Sequence, residues 1–441
     1  MCAMDLDAPA KHDSDKLSRE PRLDSRRGCQ EARLLTIPPS RPLMSRLLAL
    51  ACWALAAALP APSAAASAAE EFLATLAPAQ QQEFRKWRVA KLQHDRKLDS
   101  YWREVEAKRD GRRPKRSSGK LYLADDYVWT FPPEFAGPGL GADLDRRWVR
   151  FLAARGKTPE PPREELPGID DFLAASRKHY DFVPTRISER EFKRRYAKEA
   201  LALGLSKEQV VRVYALETGG NGTADMQSGI NPITKKGRPI SSALGYAQLL
   251  HANTIGELVK SGDGFVTRLK RLAAASEDPA RRQELSHKAA SLQRMIRVAR
   301  SMPDDWYRHV AFAQTSRGYG MHAINLDGDI GPWLQTIKLR GLKDFAARKG
   351  VTNLSGEEIE IMNLSGPATG LEMMDPVGLT APTTNFFARK AYYVNKMVMG
   401  KTSAELLADF TRRMDSSSQK PGAIEFAQVF DEVQEAHLPL R

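Results

Sequence analysis

A mainly α chain carrying one small β-hairpin is predicted, on three observations. From about residue 170 onward, apolar residues recur at helical spacing, as in Phe192, Tyr196, Ala200 and Leu203. Helix boundaries carry matching punctuation: Gly204 stops that helix, and Ser206-Lys207-Glu208-Gln209 has the spacing of a capping box that starts the next. Turn signals concentrate in one insert, 221–242, at Asn221-Gly222 and Lys235-Lys236-Gly237-Arg238. Ile230 to Thr234 and Arg238 to Ser242 are expected to pair there as the hairpin.

Taken in order, residues 71–107 read as helical, with Phe84, Trp87, Leu98, Trp102 and Val105 near one face. The basic, breaker-rich run from Lys108 to Lys120 reads as a solvated linker or as a contact strip for an anionic polymer. Residues 121–168 hold Pro, Gly and aromatics, among them Tyr127, Trp129 and Phe131, and are expected to lie as extended chain over another surface. Beyond the insert, helices are expected near 265–275, 280–300 and 305–325. A final helical segment, 385–413, has Phe386, Phe387, Tyr392 and Tyr393 as packing anchors. No internal repeat is visible. The resulting plan is an upstream extension (1–43), a signal segment (44–69), a helical and extended accessory region (70–170), the main helical domain (171–415) and a C-terminal tail (416–441).

The 441 residues suffice for one large or two medium domains with substantial cores. A net charge of +13 favours polyanionic partners, namely bacterial cell wall, acidic lipid surfaces or nucleic acid. Met44-Ser45-Arg46, an uncharged run from Leu47 to Leu59 and the small-residue stretch Ala66-Ser67-Ala68-Ala69 have the layout of a secretory signal cut near Ala68 or Ala69. Residues 1–43, polar and rich in Arg, are then either an over-extended reading with Met44 as the true start, or a cytoplasmic tail on an uncleaved signal anchor. The run is shorter than the ~20 residues a spanning helix needs. Cys2, Cys29 and Cys52 are the only cysteines and all precede the cut. The exported chain would therefore hold no disulfide, thiolate metal site or Cys nucleophile.

The segment richest in chemistry is Glu217-Thr218-Gly219-Gly220. Val210, Val213 and Tyr214 share a helical face with Glu217, and Gly219 or Gly220 can supply the left-handed turn that closes the helix. Apolar neighbours and the negative end of the helix dipole both disfavour the charged carboxylate, so its pKa is expected to rise, as a general acid requires. A helix-terminal Glu that simply faces water is the plainer reading of the same residues. Asp225, in the insert, is the candidate second carboxylate, with a turn or cap role as its alternative.

Glu217-Thr218-Gly219-Gly220, then Gly245-Tyr246-Ala247-Gln248, then Asn363-Leu364-Ser365-Gly366-Pro367 resemble the soluble lytic transglycosylase (SLT) domain of the lysozyme-like superfamily, over roughly residues 185–400. That family shows a Glu-Ser pair ending a helix, a Gly-Leu-Met-Gln segment and a later Ala-Tyr-Asn-Ala-Gly. The chain departs from it in the gap of 31 positions (248 − 217) between Glu217 and Gln248, in Met362 where the family has Tyr, and in one extra residue between Asn363 and Gly366. The resemblance implies a lysozyme-like α+β catalytic domain with a small β-hairpin. It implies Glu217 as the catalytic acid, and Thr218, Gly245, Gln248 and Asn363 as substrate-binding or positioning residues; Tyr246 reads either as a substrate-binding residue that stacks on a sugar ring or as a core tyrosine. The implied reaction cleaves the bond between N-acetylmuramic acid and N-acetylglucosamine in peptidoglycan strands. One Glu protonates the leaving oxygen, then deprotonates the muramyl 6-hydroxyl, giving a 1,6-anhydro product without water. An inverting muramidase with Asp225 as base, or a wall-binding scaffold without turnover, are the alternatives. No cofactor is implied, and the expected location is the periplasm or exterior, with cell-wall synthesis or secretion complexes as candidate partners.

Other constellations fall away. The eight histidines form no His-Glu-x-x-His and no His/Cys cluster, so no metal is expected. Asn325, Asp327 and Asp329 resemble the start of a calcium loop, but Thr336 occupies the position that needs a bidentate Glu. No phosphate-cradling glycine loop and no Gly-x-Ser-x-Gly occur. The basic face has few interleaved aromatics, and with export expected, nucleic acid is not a partner.

Overall fold

The computed structural model describes residues 64–156 and 166–437. Residues 1–43, most of the expected signal segment and all three cysteines lie outside them. The described chain is mainly helical and falls into two compact units. Among the described residues no helix is long and apolar enough to cross a membrane.

The smaller unit takes in residues 64–88 and 138–156. It holds α1 (Ala64–Ala74), the start of α2 (Pro78–Ser118) and α3 (Ala142–Arg155). Its core is aromatic: Phe72 meets Phe84 and Trp148 at ring-centroid distances of 5.0 and 4.9 Å, in the tilted arrangement that ring quadrupoles favour. Residues 121–168 were expected to be extended throughout; α3 corrects that, because Leu144 and Trp148 recur at helical spacing and are buried.

The larger unit holds the rest of α2 and fourteen further helices among the described residues. They are α4 (Ile169–Tyr180), α5 (Glu189–Ala202), α6 (Lys207–Thr218), α7 (His251–Ala275), α8 (Pro279–Ala299), α9 (Trp306–Ala313) and α10 (Ser316–His322). There follow α11 (Gly331–Ala347), α12 (Gly356–Ser365), α13 (Pro367–Met374), α14 (Pro376–Thr380), α15 (Arg389–Val394), α16 (Ser403–Ser418) and α17 (Pro421–His437). One hydrophobic core gathers α5, α6, α12, α16 and α17 around Val210, Tyr214, Met362, Phe410 and Phe426. A second lies along α7 and α8 around Phe265, Leu269, Leu292 and Met295.

Three expectations are corrected in this unit. The run Lys108–Lys120 is helix through Ser118, with Pro114 inside α2. Pro114 costs a helix interior about 3 kcal/mol, and what offsets it is an anchored guanidinium. Arg112, fully buried, donates to Glu372 Oε1, the Asp126 carbonyl and the Asn385 carbonyl at 2.6 Å each, and lies 4.4 Å over the Tyr127 ring. Arg116 also donates to Glu372. Arg112 and Arg116 thus look inward, while Lys120 at the end of the run is exposed.

The described part of the expected tail, residues 416–437, is packed helix: α17 lies on α5 and α6 with Phe426 and Phe430 fully buried. Residues 221–250 contain isolated antiparallel bridges, Gln227 with Leu244 and Ile230 with Gly237, and no β-hairpin strands. Asn231 explains the interruption. Its side chain accepts from Ile233 N and Thr234 N (2.9 and 2.8 Å), and its backbone N–H closes the loop on the Lys236 carbonyl. Local side-chain bonds of this kind compete with a ladder.

Candidate functional site

Glu217 sits one residue before the end of α6. Ser206 starts that helix as expected: its Oγ accepts from Gln209 N and its own N–H donates to Gln209 Oε1 at 3.0 Å. Gly219 and Gly220 end it with φ of +65° and +76°. The turn is pinned from outside, because Ala423 N donates to the Gly220 carbonyl at 2.9 Å. A Cβ on Gly220 would overlap the Ser417 carbonyl, so only glycine fits both the φ and the space.

Glu217 is 3% exposed and does not face water. Opposite it stands Glu360 of α12, fully buried, within side-chain hydrogen-bonding reach. Asn363, one turn further along α12, binds both. Its Nδ2 lies 3.3 Å from Glu217 Oε1 and 3.4 Å from each Glu360 oxygen. The Asn363 side-chain Oδ1 in turn accepts from Lys338 Nζ of α11 at 2.7 Å. Glu257 and Lys260 of α7 complete the charged surroundings of Lys338.

Burial raises the Glu217 pKa, with the Glu360 hydrogen bond and the Lys338 charge acting against it. For Glu360 burial comes first and the Glu217 charge second, and its pKa lies well above the carboxylate range. Burial also lowers Lys338, partly offset by Glu257, Glu360 and Glu217. The pair retains at least one proton, since two adjoining carboxylates in so dry a setting cannot both ionise.

The remaining motif residues divide. Gln248 has φ +40°, an uncommon conformation for a residue other than glycine, and donates from Nε2 to the carbonyls of Met226 (3.1 Å) and Gly245 (2.9 Å). Its Oε1 is buried and has no hydrogen-bond partner among the described residues. Gly245 (φ +75°) lets the chain pass against Gln335, whose side chain a Cβ there would strike.

Tyr246 cannot stack on a sugar. It is 1% exposed, packs between Phe192, Tyr214 and Phe426, and donates to Glu189 Oε2 at 2.8 Å. Thr218 is buried and has its hydroxyl committed to the Tyr214 carbonyl at 2.7 Å. Asp225 accepts from Arg186 (2.8 Å) and Lys235 (3.1 Å), which with the Thr223 hydroxyl hold its pKa low against partial burial. It is an ionised tie of the insert.

Glu360 and Lys338 were missed in the sequence, although a signal was present. Glu360 stands among Ile359, Ile361 and Met362, three residues before Asn363 and therefore on its helical face. Lys338 stands between Ile337 and Leu339. A charge inside an apolar stretch marks a buried partner.

The carboxylates of the apparent calcium loop are occupied: Asp327 and Asp329 pair with Lys288 at 2.8 and 2.7 Å, and Asp329 also pairs with Arg195 and Arg281. A cavity of about 430 Å³ lined by Lys198, Leu201, Arg268 and His437 contains none of the site residues. Comparison of the chain with family models, with curated proteins and with solved structures finds no match.

Proposed function

We propose that this chain is a peptidoglycan lytic transglycosylase with a lysozyme-like catalytic domain, acting outside the cytoplasm with Glu217 as its acid and base. The observation that carries the reading is the carboxyl group at the end of α6, kept protonatable by burial and gripped by Asn363, the Asn of the third motif. Its chemistry needs no second ionised carboxylate. Glu217 gives its proton to the glycosidic oxygen as the C1–O bond of N-acetylmuramic acid breaks, the electron pair leaving with that oxygen. The muramyl 6-hydroxyl then bonds to C1 and returns its proton to Glu217. The product is a 1,6-anhydro end and no water is consumed. Asn363 and Lys338 are both partly exposed, whereas Glu217 and Glu360 are buried. The unpartnered Gln248 Oε1 supplies an acceptor for a sugar hydroxyl or amide.

The near-complete burial of Glu217 favours one other reading, a wall-binding protein without turnover. An inverting muramidase loses support because Asp225 is committed to Arg186 and Lys235. Incubation with purified sacculi and mass spectrometry of the soluble fraction separates the three. Anhydro-ended muropeptides indicate the transglycosylase, reducing-ended ones a hydrolase, and co-sedimentation without release a binder.

A further inference from the structure

We propose that Glu360 is the positioning residue for Glu217: as a neutral carboxylic acid it donates a hydrogen bond to the Glu217 carboxylate and stabilises it between giving up its proton and regaining it. The inference rests on the reading of Glu217 as the acid, and assigns a role to a residue outside the three motifs.

Geometry is the first support. Glu360 and Asn363 stand one turn apart on α12, and the Asn363 amide reaches Glu217 at 3.3 Å and both Glu360 oxygens at 3.4 Å. One rigid helix face therefore presents an acid and an amide to the same carboxyl. Capping fixes that face, since Ser355 N–H donates to Glu358 Oε2 at 2.8 Å and Ser355 Oγ accepts from Glu358 N.

The charge balance is the second. Five groups face Glu217 or its partners: Glu360 and Asn363 from α12, Lys338 from α11, and Glu257 and Lys260 from α7. Lys338 places its ammonium on Asn363 Oδ1, so it polarises the amide toward Glu217. Glu360 is sealed from solvent and stays neutral; Glu217, slightly less enclosed, is the member that cycles. Through both steps Glu360 keeps its own proton, and only the strength of its hydrogen bond changes. That bond is strongest when Glu217 is ionised, in the interval between bond breaking and proton return.

The test pairs an activity readout with one that needs no activity. Infrared titration of the full chain should show protonated buried carboxyl absorption persisting above the ordinary carboxylate range, weakened in Glu360→Gln by loss of its more persistent component and keeping that component in Glu217→Gln. In sacculus digestion, Glu360→Gln should keep most of the release, because its amide still donates. Glu360→Ala should lose roughly ten- to hundredfold, as expected for a hydrogen bond to a charged group. Its alkaline limb should also move upward, since Glu217 loses a contact that favours its ionised form. An infrared band unchanged in Glu360→Gln would overturn the assignment while leaving Glu217 as the acid. A lower yield in Glu360→Ala with an unshifted pH profile would reduce Glu360 to a structural role. An intact band in a wild-type protein that releases nothing would remove the glycan-cleaving reading, and the positioning role with it.

Discussion

Asn363 is the side chain through which Glu217, Glu360 and Lys338 meet, and its own neutrality makes that possible. A charged residue there would add a further ion to a dry cluster; an apolar one would leave three groups without their shared partner. Asn363→Ala should therefore lower glycan release about ten- to hundredfold, the worth of one or two hydrogen bonds to charged groups. Circular dichroism should show the helices intact, and an unaltered rate would exclude Asn363 from the mechanism. At this scale the sequence was partly legible. Glu217, Asn363 and Gln248 were singled out by motif, and coordinates bring Glu217 and Asn363 into contact. Tyr246 and Thr218 come from the same motifs, yet their side chains are spent on the core and on the helix's own backbone. Motif position shows which residues are near a site, whereas hydrogen-bond supply decides which of them are free to use it.

Among the elements, α2 departs furthest from expectation. A run of Lys, Arg, Gly and Pro reads as linker because each residue is a poor helix former or strongly hydrated. The tertiary partner Glu372, more than 250 positions away, decides otherwise. Glu372→Ala leaves Arg112 buried without its carboxylate, which should cost about 3–5 kcal/mol of stability. Urea unfolding measures it; a loss under about 1 kcal/mol would show that the pair is solvated rather than sealed. The end of α5 and both ends of α6, by contrast, were legible nearly to the residue, because Gly204, Ser206 and Gly219 act through local chemistry, whereas the Ser188 cap that starts α5 was not read. The insert was legible as a turn region but not as bridges, since Asn231 bonds its own loop. Helix α17 gave no motif, and only its burial against Phe426 neighbours shows it to be core.

For the whole molecule, acid sensitivity follows from two buried histidines. His322 donates from Nε2 to the Ser242 carbonyl at 2.7 Å and its other nitrogen meets the Thr254 hydroxyl at 2.9 Å, while His251 packs beside it. Burial pushes His322 down to about 3 and His251 down to about 4. Both are neutral in the fold, so the unfolded chain binds more protons below pH ~6.5. Stability is full above that value and falls as pH drops toward the folded pKa values, by on the order of 3 kcal/mol per ring. The buried carboxyl pair works the other way, favouring the fold at lower pH and losing that contribution as pH rises above the ordinary carboxylate range. Nuclear magnetic resonance of the two rings should show neutral imidazoles down to about pH 5; titration near 6.5 would contradict their burial.

The proposal that Glu217 cleaves glycan is tested most directly by comparing wild-type protein with Glu217→Gln on purified sacculi, at matched folded concentration, with mass spectrometry of released muropeptides. Anhydro-muramyl products from the wild type and none above background from the variant are the expected result. Equal yields from the two proteins, or no release from a folded wild type, would contradict it.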